Sequence, residues 1–336
     1  MNLLITLPSN SLKALSFLIF LLLLFPVTII CQDIKELTEI KNFGNNPGNL
    51  KMFVHSFPAT DTLKKPLVVV LHGCAQNTED VAVLTGWNKI ADINSFTVLY
   101  PQQKMTNNPN RCFNWFMKHD IEKGKGECES IYQMISFAIE NYNIDSNRIF
   151  VTGLSAGAAM SMVMISVHPA LFNYAAVFAG GAYKIAMNPY DGTKVLLGKR
   201  NITQQKLKDY VRLQNPDYNK DYPGLIIYQG LNDPVVNHRN AYDIIRQWTG
   251  INNIDTIADK TETSYLGIED ITRIEYNDST GDTKIIFYEI NNLGHRLLVK
   301  PGEKENEGGR TGLFGADKGF HSTWQTAKEF EILKEE

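Results

Sequence analysis

The sequence predicts one doubly wound α/β domain, a mostly parallel sheet with helices on both faces, on three observations. Short continuous apolar runs such as Leu67-Val-Val-Val-Leu71 and Gly224-Leu-Ile-Ile-Tyr228 suit strands buried on both sides. Helical patterns lie between these runs. A turn of small residues, Gly153-Leu-Ser-Ala-Gly157, joins one run directly to one helical pattern.

In chain order, the N-terminal segment stands apart. Lys13 is its only charge through residue 31, and it precedes the apolar run Ala14–Phe25, which Pro26 ends. A basic start, an apolar run and a break before polar sequence read as a secretory signal peptide over residues 1–31. The run is shorter than the ~20 apolar residues that a spanning helix needs. An uncleaved anchor and lipidation at Cys31 are the alternatives. The remaining residues 32–336 are expected to be exported, extracellular or periplasmic, with no stable membrane association after processing.

Within that domain the strand candidates are Lys51–Phe57, Leu67–Leu71, Phe96–Tyr100, Arg148–Thr152, Ala175–Phe178, Leu225–Tyr228 and Lys284–Ile290. Helical patterns cover Trp87–Ile93, Glu127–Tyr142, Ala156–Val167 and Ala241–Trp248. A last one sets Phe320, Trp324, Ala327, Phe330 and Leu333 on one face. Two stretches break the rhythm. Residues 184–222 read as an insertion carrying a helix near Gln204–Leu213, and the Gly-rich, charged residues 299–319 read as a long surface loop. Such loops often form lids or substrate-binding edges.

Composition narrows the function. The chain is 43% apolar and 21% charged, ordinary globular material, and its net charge of −3 gives no reason to expect nucleic acid as a partner. Removing residues 1–31 leaves Cys74, Cys112 and Cys128, so an oxidising compartment implies one disulfide and one thiol. Neither the cysteines nor the seven histidines show metal-ligand spacing, so no metal or cofactor is expected.

The chemistry concentrates at Gly153-Leu-Ser155-Ala-Gly157. The run Arg148–Thr152 precedes it and Ala158-Ala-Met-Ser-Met follows it, the strand–turn–helix setting of a nucleophile elbow in an α/β-hydrolase fold. Helix and strand nearly touch at such a bend, so its flanking side chains must be small. A serine needs a base, and the base needs an orienting acid, in the chain order serine, acid, histidine. Asp233 follows the strand Leu225–Tyr228 closely, whereas Asp217, Asp221 and Asp255 do not. His295 follows the last strand. His321 is its rival, His238 reads as the start of a helix, and His168 before Pro169 reads as structural. Two backbone N–H donors should hold an oxyanion: Ala156, and Cys74 in His72-Gly-Cys-Ala-Gln76, with Gly73 next.

With these residues in hand, the chain resembles the polyhydroxybutyrate depolymerase-type esterases, a group that includes feruloyl and acetylxylan esterases. The likeness runs from about Lys51 to Phe330. It rests on Leu71-His-Gly-Cys-Ala-Gln76, Tyr100-Pro-Gln-Gln103, Cys112-Phe-Asn-Trp-Phe116, Gly126-Glu127, Gly153–Ala158, Gln229-Gly230 with Asp233, and Gly294-His295. The resemblance implies a Ser155–His295–Asp233 triad, a Cys74–Cys112 disulfide with Cys128 free, and Gln76, Asn114 and Trp115 beside the substrate. It stops after His295, where a tryptophan and a Pro-Gly-Gly turn are usual and Arg296-Leu-Leu-Val-Lys-Pro-Gly302 stands instead.

The expected reaction is two-step acyl transfer on an ester, losing rate in acid as the base is protonated. No separate binding module follows the domain, which favours feruloyl or acetyl esters of plant polysaccharide. Polyhydroxybutyrate or its oligomers is the alternative. A serine peptidase on the same fold and a non-catalytic carbohydrate-binding protein are the readings from other classes. Asn201-Ile-Thr203 and Asn277-Asp-Ser279 are glycosylation sequons if the host modifies exported chains.

Overall fold

A computed structural model describes residues 37–56 and 63–334; the expected signal peptide and the Phe57 end of the first strand candidate lie outside these residues. Ten strands form one sheet. They are β1 (Thr38–Ile40), β2 (Lys51–His55), β3 (Lys65–Leu71), β4 (Thr97–Gln102), β5 (Ile144–Leu154), β6 (Tyr174–Phe178), β7 (Gly224–Gly230), β8 (Lys260–Glu262), β9 (Ile271–Asn277) and β10 (Thr283–Ile290). Their order is β1-β2-β4-β3-β5-β6-β7-β10-β9-β8. The six central strands, β4 to β10 in that order, run parallel. Antiparallel pairs close both edges.

Alternation along these strands divides the core. Val69, Val151, Val177, Ile227 and Phe287 face one layer, which holds α3 (Gly126–Asn141), α4 (Ala156–Val167), α6 (Gln204–Arg212) and α7 (Arg239–Asn252). Val68, Phe150, Ala176, Ile226 and Tyr288 face the other, covered by α1 (Thr78–Thr85), α2 (Trp87–Asn94) and α8 (Ser322–Glu329). Both faces are buried, which is why the strands read as unbroken apolar runs.

The expected strands and helices are all present, with ends shifted by a few residues. In α8, Phe330 is the C-cap residue while Phe320 and Leu333 fall outside the helix. Three regions add to the sequence reading. Helix α1 was not expected, though Asn77 and Asp80 form a reciprocal capping box at its start. Residues 184–222, read as an insertion with one helix, carry α5 (Pro189–Leu196) as well as α6, and Ile185, Val195, Leu207 and Val211 enter the core. Residues 299–319 are not simply a loop, because β12 (Gly315–Asp317) pairs in parallel with β11 (Leu297–Val299). That pairing draws the segment against the chain just past His295.

Candidate active site

Ser155 sits between β5 and α4 with φ 57° and ψ −118°, a conformation that side chains adopt only when neighbours enforce it. Its N–H donates to Phe178 O at 2.8 Å. The enforcement is contact. A Cβ on Gly157 would lie 2.2 Å from Leu71 O, and one on Gly153 would lie 2.4 Å from the Gly157 carbonyl carbon. The helix start therefore presses onto the ends of β3 and β5, with the serine side chain at the head of α4.

The acid and the base come from neighbouring parallel strands. Gly230 at the end of β7 stands opposite Ile290 at the end of β10. Beyond that pair, Leu231 N–H donates to Ile290 O (2.9 Å) and Asn232 N–H to Leu293 O (3.1 Å), which binds the two loops together. Asp233 Oδ1 accepts from Val235 and Val236 N–H, both at 2.8 Å, and its Oδ2 lies 2.7 Å from His295 Nδ1. The Asp233 side chain is fully enclosed and that of His295 is 9% exposed. A carboxylate accepts, so Nδ1 carries the imidazole proton and Nε2 is left as the acceptor nitrogen of the ring. Ser155 and His295 line one cavity. They are not hydrogen bonded to each other among the described residues, a common state of such a pair before substrate arrives.

The loop after β3 supplies the other backbone donor candidates. Gly73 N–H is already engaged by Gln76 Oε1 at 2.7 Å. The N–H of Cys74 has no acceptor among the described residues, and that of Ala156 opens a helix and has no intrahelical partner. Cys74 rather than Gly73 is thus the donor free to meet a ligand. Two links strap this loop down: a Cys74–Cys112 disulfide, and Ala75 N–H to Asn110 O at 2.7 Å. Cys128 is a buried free thiol, and burial pushes its ionisation far up.

A buried polar chain lies beneath. His72 Nδ1 meets Gly73 O at 2.7 Å, and Nε2 accepts from Gln103 N–H at 3.0 Å. Burial pushes this imidazole down to about 4. Gln103 Nε2 donates to Glu127, which also accepts from Asn114 N–H and Nδ2 at 2.7 Å each. Burial, with the Asp120 carboxylate nearby, pushes Glu127 up to about 8. The motifs at 72–76, 100–103, 112–116 and 126–127 therefore converge on one network under the loop.

The cavity holding Ser155 has a volume of about 440 Å³. Its walls are Trp115, Phe116, Val195, Leu196, Val236 and the backbone at Gly180-Gly181; besides Ser155 and His295, the Thr193 hydroxyl and the Trp115 indole N–H are the polar side-chain groups among the described residues that line it. Trp115 lines this cavity. Gln76 accepts from Gly73 N–H in the loop after β3 and lines a neighbouring cavity, and Asn114 donates to Glu127. The rival residues lie elsewhere. His321 starts α8 with Nε2 on Thr85 O (3.0 Å), and His168 caps α4 and stacks on Tyr132. His238 precedes α7. Asp221 is exposed and pairs with Lys284, and Asp255 caps a turn at Ile257 N–H. Sequence reasoning missed the wall helix α5, although Asn188-Pro189 is a helix-start signal, and missed Phe314, which carries no motif.

Comparison with known proteins gives the family. Residues 51–265 match the family described as esterase PHB depolymerase. The chain is 36% identical over 315 residues to poly(3-hydroxyalkanoate) depolymerase C of Paucimonas lemoignei, spanning 93% of this chain and 75% of that one. It is 31% identical over 234 residues to an acetylxylan esterase of Coprinopsis cinerea, spanning 68% of this chain and 62% of that protein. It is also 27% identical over 289 residues to feruloyl esterase B of Talaromyces funiculosus, spanning 84% and 78%. An acetyl xylan esterase from Aspergillus awamori has the same fold, with a TM-score of 0.71 at 23% identity over 77% of this chain and 94% of that one.

Proposed function

The chain belongs to the esterase PHB depolymerase family and is an esterase, and from that premise we propose that Ser155, His295 and Asp233 are its catalytic triad. Ser155 attacks the ester carbonyl while His295 Nε2 takes its proton. The Cys74 and Ala156 N–H groups receive the oxyanion, a donor of this kind contributing about 3–4 kcal/mol to the transition state. His295 passes the proton to the departing alcohol. Water, activated by the same imidazole, then releases the acid. Asp233, accepting from Nδ1–H, orients and steadies the imidazolium.

The carrying observation is the enclosed Asp233–His295 pair opening onto the cavity that contains a strained Ser155. The test is Ser155→Ala assayed on 4-nitrophenyl butyrate. A loss of about 10⁴-fold or more with an unchanged melting temperature is expected. Retained hydrolysis overturns the assignment.

For substrate, we propose 3-hydroxyalkanoate oligomers or polymer, a change of order from the polysaccharide-linked esters that the sequence favoured. The cavity supports it. An acetyl group leaves most of 440 Å³ of apolar space unfilled, and a feruloyl group brings a rigid ring with a phenolic hydroxyl to walls that carry few polar side-chain groups. A 3-hydroxyalkanoate sets its flexible alkyl chain against these walls, and its single C3 oxygen can turn toward Thr193. Release of 3-hydroxybutyrate, ferulate and acetate from matched substrates decides among them. The basic start and apolar run of residues 1–25 support export as its route to such a substrate.

A further inference from the structure

A second cavity of about 240 Å³ adjoins the first, and Ala75 and Phe314 line both. Its position relative to the reaction follows from the backbone. Leu297 N–H donates to Phe314 O at 2.9 Å, two residues past His295. The space beyond Phe314 thus lies on the imidazole side, where the alcohol receives its proton and leaves.

The character of this cavity differs from that of the first. Gln76 is 3% exposed, its Oε1 is held by Gly73 N–H, and its Nε2 has no acceptor among the described residues. Arg310 contributes a guanidinium with no carboxylate or carbonyl partner among the described residues, and its backbone N–H is anchored on Leu84 O at 3.2 Å. The Thr311 hydroxyl joins them. Against these donors stands one carboxylate, Asp80, whose Oδ2 is engaged by Asn77 N–H at 3.0 Å. The lining is a donor-rich, net acceptor-seeking surface. The Gln76 NH₂ and the Arg310 guanidinium therefore keep donors available to an oxygen bound in this cavity.

Resting on the serine-esterase reading above, we propose that this cavity is a leaving-group subsite for a carboxylate, with Gln76 Nε2 and Arg310 as its ligands and Phe314 as the divider from the acyl cavity. The alcohol released from the last ester of a hydroxyalkanoate oligomer carries such a carboxylate. So does the uronic acid branch of an esterified saccharide. Because Gln76 Oε1 also holds Gly73 N–H, the same side chain that would bind the carboxylate braces the oxyanion loop.

The test compares each substrate with its own neutral form. The 3-hydroxybutyrate trimer is assayed as free acid and as methyl ester, and a feruloylated uronoxylan oligosaccharide is assayed with free and methyl-esterified uronate. The wild-type protein is expected to prefer the free acid by about tenfold in kcat/KM in at least one pair, chiefly through KM, and less in high salt. The pair that discriminates identifies the source of the carboxylate. Arg310→Ala, on an exposed side chain, should abolish the ratio, and Arg310→Lys should retain part of it. Equal rates on acid and methyl ester in both pairs, or a ratio unchanged in Arg310→Ala, overturns the subsite. Wild-type hydrolysis of 4-nitrophenyl butyrate in the same assays separates that outcome from failure of the serine-esterase reading, which would remove it.

Discussion

The floor and the walls of the site are built on different terms. The floor comprises the bend at Ser155, the loop at 72–76 and the paired ends of β7 and β10. It is set by backbone contacts as short as 2.2 Å to a prospective Cβ, a disulfide and an enclosed carboxylate. The walls come from α5 and residues 310–314, where Tyr190 is 70% and Leu313 76% exposed. The difference teaches a division of labour. Reacting atoms are held by main chain that has no room to vary, whereas substrate is selected by side chains that can be exchanged without unfolding the domain.

The same chemical change tests both regions. Gly157→Ala puts a methyl group against Leu71 O in the floor, where backbone must move. It is expected to cost about 3 kcal/mol of stability and most of the activity, read from a urea midpoint and an aryl ester assay. A midpoint within error of wild type would mean that the floor yields more easily than its contacts imply.

Acid probes the buried imidazoles, of which His72 lies in the floor. Burial holds His72, His168 and His321 down to about 4, below the ordinary histidine value, so the folded state binds fewer protons than the unfolded chain. Their stabilisation is complete above pH ~6.5 and lost as pH falls toward ~4. Glu127, pushed up to about 8, acts in the opposite sense and offsets part of the loss. The net fall between pH 6.5 and 5.5 should be about 2 kcal/mol, seen as a lower urea midpoint. For His72 the reason is visible: a proton on Nε2 would face the N–H of Gln103. A midpoint unchanged over that interval would contradict burial as the controlling factor.

The smallest effect is expected in the wall. A Cβ on Gly181 would meet Val195 Cγ1 at 3.5 Å, an ordinary contact. Gly181→Ala should leave the melting temperature nearly unchanged while narrowing the acyl cavity. The ratio of 4-nitrophenyl butyrate to acetate turnover should fall by roughly three- to tenfold, the scale of about one methylene in an apolar pocket. A large stability loss there would erase the distinction between wall and floor.

The legibility of the sequence follows the same division. The elbow could be read because Gly153, Ala156 and Gly157 must be small for local steric reasons, and the strand runs could be read because both faces are buried. Asp233 and His295 could be placed by their distance past an apolar run. The walls could not. Helix α5 is short and half exposed, and its two buried positions, Gly192 and Val195, share a face but are too few, one of them a glycine, to read as an apolar stripe. Phe314 is drawn to the cavity by β12 pairing with β11, which no local pattern announces. Gln76 had the right residue type for substrate contact, yet its carboxamide oxygen is spent inward on Gly73.

By itself, then, the sequence determined the fold class, the order of the chemical groups along the chain and the bend that exposes Ser155, since each depends on burial or crowding within a few residues. The tertiary structure alone decided that Cys74 rather than Gly73 keeps a free N–H, that α5 and Phe314 wall the cavity, and that Gln76 and Arg310 share a second one. Those outcomes are competitions among partners far apart in the chain: Gly73 N–H goes to Gln76, Asn114 to Glu127, and Phe314 O to Leu297. No local preference records which of several available partners a polar group will meet once the chain has closed on itself.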